Sequence, residues 1–275
     1  MRFEDGQTPA GQSSPLDFAV DHQTRLTMAT VRRAVERGDA VLAFQPIVQA
    51  SRTDRPAFHE GLIRVIDETG RIIPLRDFMP VAELGELGRQ IDCLALALGL
   101  RALAEEPGLR LSINMSARSI GYPDWLRTLR RGVAEDKTVA ERLILEITES
   151  SAMGLPEQVR QFMRELQQAG VSFALDDFGA GYTSFRYLRD FSFDLIKIDG
   201  QFIREIAGHP DNQVLTRALM SIASHFDMFT VAEQVETADD AAFLIQLGID
   251  CLQGFYFGAP TISPPWQAPN AAAQR

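Results

Sequence analysis

Cysteine is scarce in this chain: 275 residues carry two, Cys93 and Cys251, far apart and without CxxC spacing. That usage fits a reducing compartment better than a disulfide framework. Long hydrophobic runs are also missing. The longest apolar stretch, residues 93–100, falls far short of the ~20 residues that span a bilayer. The first twenty residues, MRFEDGQTPAGQSSPLDFAV, hold acids, Gly, Pro and Ser but no apolar segment behind a basic start, so no signal peptide is read there. Basic charge is short as well, with 27 Lys and Arg against 37 Asp and Glu and a net charge of −10. This balance argues against duplex nucleic acid or an anionic membrane surface as partner. A cytoplasmic, soluble protein without membrane insertion is expected, and a small anionic ligand held through metal ions stays open.

The hydrophobic content, 45%, suffices for a substantial core. Residues 1–21 read as a flexible leader, residues 263–275 as a Pro- and Ala-rich tail, and residues 22–262 as one domain. Near-helical apolar spacing ending at Gly38 predicts a leading helix from residue 22. Strand-like segments follow: VLAFQPIV from 41, FHEGLIRV from 58, LRLSINMS from 109, LILEITES from 143, VSFALDD from 171, FDLIKID from 193, FTVAEQVE from 229 and IDCLQGFYF from 249. Most are continuous apolar runs, the pattern of strands buried on both faces. Helical patterns at residues 155–170, 212–226 and 238–248 separate the later ones. This alternation predicts an α/β fold, a TIM-like (β/α)8 barrel. The connection ASRTDRPAF between the first two strands leaves no room for a crossover helix, so the first strand is expected to be antiparallel to the rest.

Each strand carries a polar residue out of keeping with its apolar context: Gln45, Glu60, Asn114, Glu146, Asp176 with Asp177, Lys197, Glu233 and Gln253. In a barrel such positions converge on one mouth, where barrel enzymes build their sites. A single one would pass for a satisfied buried polar group; convergence from seven strands points to a site. The pair Asp176-Asp177 raises the sharpest question, because like charges 4 Å apart repel by about 4 kcal/mol at an effective dielectric of 20. Five carboxylates without Cys or His in register select Mg²⁺ or Mn²⁺ rather than zinc. Two such ions together with Lys197 balance the five carboxylates and let the cup accept a phosphodiester. His59 is turned by strand alternation to the opposite face, where packing against a surrounding helix is expected. His22, His209 and His225 fall on helical or loop segments and read as solvated or capping residues. GAGY, at residues 179–182, lacks the context of a dinucleotide fingerprint and reads as a tight turn.

The segments FQPIV, EGLIR, DFMPVAE, SINMSAR, LEITES, LDDFGAGYTSFRYL, IKIDGQFI, VAEQVET and CLQGFYFGAP, in this order, resemble the EAL-domain family of bacterial cyclic di-GMP phosphodiesterases. The resemblance implies a barrel with an antiparallel first strand and hydrolysis of cyclic di-GMP to linear pGpG. It also implies two metal sites. Glu60, Asn114, Glu146 and Asp176 match the first, and Asp176, Asp177 and Glu233 match the second, with Mg²⁺ or Mn²⁺ active and Ca²⁺ inhibitory. Lys197 matches the residue assigned to the attacking water, so Lys197, Glu233, Glu60 and Asp176 are the implied catalytic set. Gln45, Arg64, Gln253 and Pro80 match contacts to the dinucleotide, and Glu149 and Glu236 match supporting acids, one of which tethers the glycine loop at 179–185. A homodimer and a separate regulatory protein are the implied partners.

The sequence departs from the family pattern at Gly61, where the signature has Ala and a slightly looser strand is expected. It departs also at Leu84, in QVET for GVET and in DFGAGYTS for DFGTGYSS. None of these removes a ligand. The alternatives are a non-hydrolytic cyclic di-GMP receptor or a protein-interaction module with the same fold, whose members usually lose metal ligands, and a phosphoesterase for another substrate.

Overall fold

The computed structural model describes residues 15–180 and 188–267. Its architecture follows from a period of two. On β2 (Arg52–Ile66), β5 (Leu143–Thr148), β6 (Ser172–Phe178) and β7 (Leu195–Ile198), an apolar residue stands two positions before a polar one: Phe58 and Glu60, Ile144 and Glu146, Ala174 and Asp176, Leu195 and Lys197. The end of β8 (Phe229–Ala232) and β9 (Cys251–Gln253) repeat it with Val231 and Glu233, and Cys251 and Gln253. β1 (Ala40–Gln49), running the other way, has Ile47 after Gln45. Residues two apart share a face, so one layer of the interior is apolar and the next polar. The apolar layer is a single buried cluster of Ile47, Phe58, Ile144, Ala174, Leu195, Val231 and Cys251, each large side chain stabilising by roughly 1.5–3 kcal/mol. It floors a polar cup at the carboxyl ends of the parallel strands.

Alternate residues such as Leu145, Phe173, Leu175, Ile196, Ile198 and Leu252 face outward into the larger core beneath the helices. These are α1 (Pro15–Arg37), α2 (Met79–Ala82), α3 (Glu86–Glu105), α4 (Pro123–Glu135), α5 (Thr138–Arg142), α6 (Glu149–Gly154), α7 (Pro156–Gln167), α8 (Gly200–Ile203), α9 (Pro210–His225) and α10 (Ala238–Leu247). α1 starts ahead of the expected residue 22.

The barrel closes through parallel pairs from β2 to β4 (Leu111–Asn114), then β5, β6, β7, β8 and β9 in turn, and β1 is antiparallel to both of its neighbours, β2 and β9. The expected reversal of the first strand is therefore present. The connection after it is shorter than expected, because β2 begins at Arg52 and only Ala50 and Ser51 turn the chain. Pro56 lies inside β2 opposite Val48, where the register is irregular; a bulge tolerates a residue without an N–H. β3 (Ile72–Ile73) pairs with the end of β2 outside the barrel and is too short to show a sequence period.

Two expectations change on packing. Gly61 does not loosen its strand: a Cβ there would stand 2.7 Å from Ile113 Cδ1, so the isoleucine tip already fills the room. His59 does face outward, and its partner is Trp266, edge-on at 4.7 Å between ring centroids, on the short 3₁₀ turn Pro265–Gln267 rather than on one of the α-helices around the barrel. Trp266 also meets Phe44 at 5.3 Å, so packed chain continues past residue 262.

Candidate active site

Alternation alone brings Glu60, Asn114, Glu146, Asp176, Lys197, Glu233 and Gln253 into the cup, but it would turn Asp177 away from Asp176. The backbone prevents this. Asp177 adopts a left-handed conformation (φ 55°), and the pairing of β6 with β7 loses register between Leu175 and Phe178. Asp is among the few residues that accept this conformation at modest cost, and a bulge re-aims a side chain. As a result, carboxylate oxygens of Asp176, Asp177 and Glu233 lie within 4.8 Å of one another, a group able to hold a metal ion.

The Lys197 ammonium is 1% exposed and stands 2.7 Å from Glu233 Oε1, 2.9 Å from Glu146 Oε2, 3.1 Å from Asp176 Oδ1 and 3.3 Å from Glu60 Oε2. Glu60 is further held by Asn114 Nδ2, which donates to Oε1 at 2.7 Å, and by Gln253 Nε2, which donates to Oε2 at 2.6 Å. Gln253 Nε2 also donates to Gln45 Oε1 at 3.2 Å, and Gln45 Nε2 donates to the Gly258 carbonyl at 3.1 Å. Gln45 thus joins the cup from the antiparallel strand.

One lysine does not balance five carboxylates, and burial together with mutual repulsion shifts the group's proton affinities. Burial raises Glu60, but the Lys197 charge and the hydrogen bonds from Gln253 and Asn114 outweigh it and leave this carboxyl below its ordinary range. Glu146 is driven well above that range by burial, with Glu60 and Asp176 adding repulsion. Burial pushes Glu233 up to about 8 and, together with Asp176, Asp177 up to about 6. Burial opposes the Lys197 charge, yet Asp176, Glu146, Glu233 and Glu60 together hold its pKa well above the usual lysine value. Divalent cations held there would relieve this repulsion. Buried oxygens left without hydrogen-bond partners, Glu146 Oε1 and Gln253 Oε1, also suit cation coordination. The all-oxygen donor set fits hard divalent ions.

Glu149 is buried at the start of α6, and its Oε2 accepts from Gly179 N–H at 3.2 Å. Thr148, not Glu149, caps that helix, accepting from Ser151 N–H. Of the glycine loop at 179–185, residues 181–185 lie outside the described residues. Arg64 follows Glu60 by four residues on the same face of β2 and feels its charge; Pro80 and Glu236 lie on loop and helix segments outside the strands. The Arg64 guanidinium donates to the Ile63 carbonyl at 3.0 Å, Pro80 is exposed in the first turn of α2, and Glu236 is exposed between β8 and α10. Sequence reasoning passed over Asp92, buried on α3 and bonded to the segment after β4. The available signal was a lone carboxylate at the head of an apolar helical run.

The EAL domain family model matches residues 28–260. A cyclic di-GMP phosphodiesterase of Escherichia coli K12, PdeF, is 33% identical over 237 residues, covering 85% of this chain and 31% of the relative. PdeB of Shewanella oneidensis, another cyclic di-GMP phosphodiesterase, is 29% identical over 234 residues, covering 84% of this chain and 27% of the relative. The chain thus spans about a third of the length of the curated relatives it matches. Among solved structures, the PaMucR phosphodiesterase in complex with c-di-GMP superposes with a TM-score of 0.77 at 30% identity, over 88% of this chain and 99% of that one. The FimX EAL domain of Pseudomonas aeruginosa bound to c-di-GMP gives 0.78 at 25% identity, over 86% and 96%. With the family model spanning most of its length and relatives matching over the same barrel, the chain belongs to the EAL domain family.

Proposed function

We propose that this domain hydrolyses cyclic di-GMP to linear pGpG with two divalent cations, Mg²⁺ or Mn²⁺. The observation that carries the reading is the convergence of five carboxylates, Asn114 and Lys197 at one mouth of an EAL barrel, all but Asp177 shielded from solvent. Glu60, Asn114, Glu146 and Asp176 would hold one ion, and Asp176, Asp177 and Glu233 the other. Ions so held would draw charge from the scissile phosphate and lower the pKa of water. Hydrolysis breaks one ester P–O bond and forms another to the water oxygen, and the departing 3′ oxygen takes up a proton.

The chain's own groups do the placing. Lys197, kept as an ammonium by four carboxylates, donates to and orients water or a phosphate oxygen. Gln45 and Gln253, locked to each other and to Glu60, offer amide groups at the rim for the dinucleotide. Arg64 and Pro80 are assigned to the same ligand, and Glu149 to holding the glycine loop through Gly179. Glu236, exposed at the end of the QVET segment, is assigned to that loop's support.

Purified protein incubated with cyclic di-GMP and Mg²⁺ should release pGpG, with Ca²⁺ inhibiting through its looser geometry. Asp176→Asn should lower turnover by roughly 10²–10³-fold or more, the scale of losing one preorganised charge where charge develops. Lys197→Ala should lower it similarly while dinucleotide binding persists. Full activity in excess EDTA would overturn the metal reading. Binding without pGpG would make the domain a receptor.

A further inference from the structure

Asp92 lies on α3 outside the cup and is 6% exposed. Its Oδ2 accepts from Ser116 N–H at 2.9 Å and from Ser119 Oγ–H at 2.6 Å. Both serines stand on the segment that follows β4, and this segment begins directly after Asn114. The same segment has two other ties: Met115 N–H donates to the Glu146 carbonyl at 2.9 Å, and Ala117 N–H donates to Ser151 Oγ at 2.8 Å. Ser151 belongs to α6, the helix whose Glu149 holds Gly179 behind the paired aspartates. The rim is thus one hydrogen-bonded band from α3 through the β4 loop and α6 to the end of β6.

Asp92 enters this band from α3, whereas its other named members lie on the segment after β4, on α6 directly after β5 and at the end of β6. It is also expensive. A buried carboxylate with no cation beside it costs several kcal/mol, and burial lifts its pKa to about 7 despite both hydrogen bonds. The helix around it buries Ile91, Ala95, Leu96 and Leu100, so an apolar side chain would suit the packing. What an apolar side chain would lose is the grip on residues 116 and 119.

We propose that Asp92 is a positioning residue of the metal site, holding the segment after β4 so that Asn114 keeps its place against Glu60 and beside Glu146. The proposal rests on the reading of Asn114 as a ligand. Asn114 is two residues from the Ser116 anchor, so slack at the anchor reaches its amide, whereas ligand distances are held to about ±0.2 Å. Loss of an outer partner of a ligand typically costs 10–100-fold in metal affinity. The bland alternative is that Asp92 merely fastens the short 3₁₀ turn Ala117–Ser119 and contributes stability alone.

Calorimetric titration of Mn²⁺ into the parent, Asp92→Ala, Asp92→Asn and Ser119→Ala separates these, with thermal melts and the Mn²⁺ dependence of cyclic di-GMP turnover alongside. Asp92→Ala should raise the Mn²⁺ Kd and the Mn²⁺ concentration for half-maximal turnover together, by about 10-fold or more, while kcat at saturating Mn²⁺ changes little. Asp92→Asn, whose amide oxygen can accept both bonds, should restore most of the affinity, and Ser119→Ala, which keeps the backbone bond, should fall between. A lowered melting temperature with unchanged Kd in Asp92→Ala would overturn the proposal alone. Should Asp92→Ala not fold, an unchanged Kd in Ser119→Ala overturns it. A parent that binds no Mn²⁺ overturns the functional reading and this proposal with it.

Discussion

Asp177 owes its role to one backbone angle. An extended φ at this position would send its carboxylate out among the helices; the left-handed value turns it to the same side as Asp176 and Glu233. His59 shows the opposite case, where alternation holds and the surroundings set the chemistry. Burial beneath Trp266 lowers its pKa from 6.5 to about 4. The folded state therefore resists protonation that the unfolded chain accepts. Stability from this group is complete above pH ~6.5 and is lost as pH falls from there toward about 4, by at most roughly 1–2 kcal/mol after allowance for its partial exposure. An NMR titration of the four histidines should find one midpoint near 4, and Trp266→Ala should return it toward 6.5. A His59 midpoint that stays near 6.5 in the parent would contradict the packing.

Among the elements, β2 and β4 meet α3 through Ile113. Its side chain fits between two glycines: a Cβ on Gly61 would stand 2.7 Å from Cδ1, and one on Gly99 would stand 2.8 Å from the same atom. At Gly61 the nearest obstacle is the far end of a flexible side chain, with Leu42 Cδ1 and the Ser112 carbonyl oxygen next at 3.3 Å. Gly61→Ala alone should cost about 1 kcal/mol through overpacking, and Ile113→Val alone about 0.5–1.5 kcal/mol. Combined, the two should cost less than their sum, as expected for residues in contact. Additive urea-unfolding energies would show that the tip moves freely and that the glycine carries no packing role. In this sequence the long buried strands announced themselves as apolar runs with one polar residue near the mouth. β3, two residues long, and the first residues of β2, exposed and interrupted by Pro56, carried no such period. Their pairing comes from the neighbouring strand rather than from their own composition.

At the scale of the molecule, the proposed two-cation reading couples cation binding to folding, because the unfolded chain would scatter the proposed ligands that the barrel gathers from β2, β4, β5, β6 and β8. An ion at 100 times its Kd stabilises the native state by about 2.7 kcal/mol, which in a domain of this size raises the melting temperature by roughly 5–10 °C. Mn²⁺ should produce such a shift in the parent and lose most of it in Asp176→Asn, whereas an equal shift in both would place the bound ion elsewhere. Among the described residues, no helix is long and apolar enough to cross a membrane, in keeping with the short apolar runs of the sequence. The sequence by itself determined the strand count of the barrel, the reversed first strand, and which side chains would meet, since a period of two and a closed parallel sheet leave their direction no freedom. Tertiary structure alone decided what periodicity does not encode: the turn of Asp177 into the cup by a bulge, the filling of the Gly61 gap by Ile113, the cover of Trp266 over His59, and the grip of Asp92 on the loop behind Asn114. Each of these depends on a contact between residues distant in the chain or on a local break in register, and such features exist only once the barrel has closed.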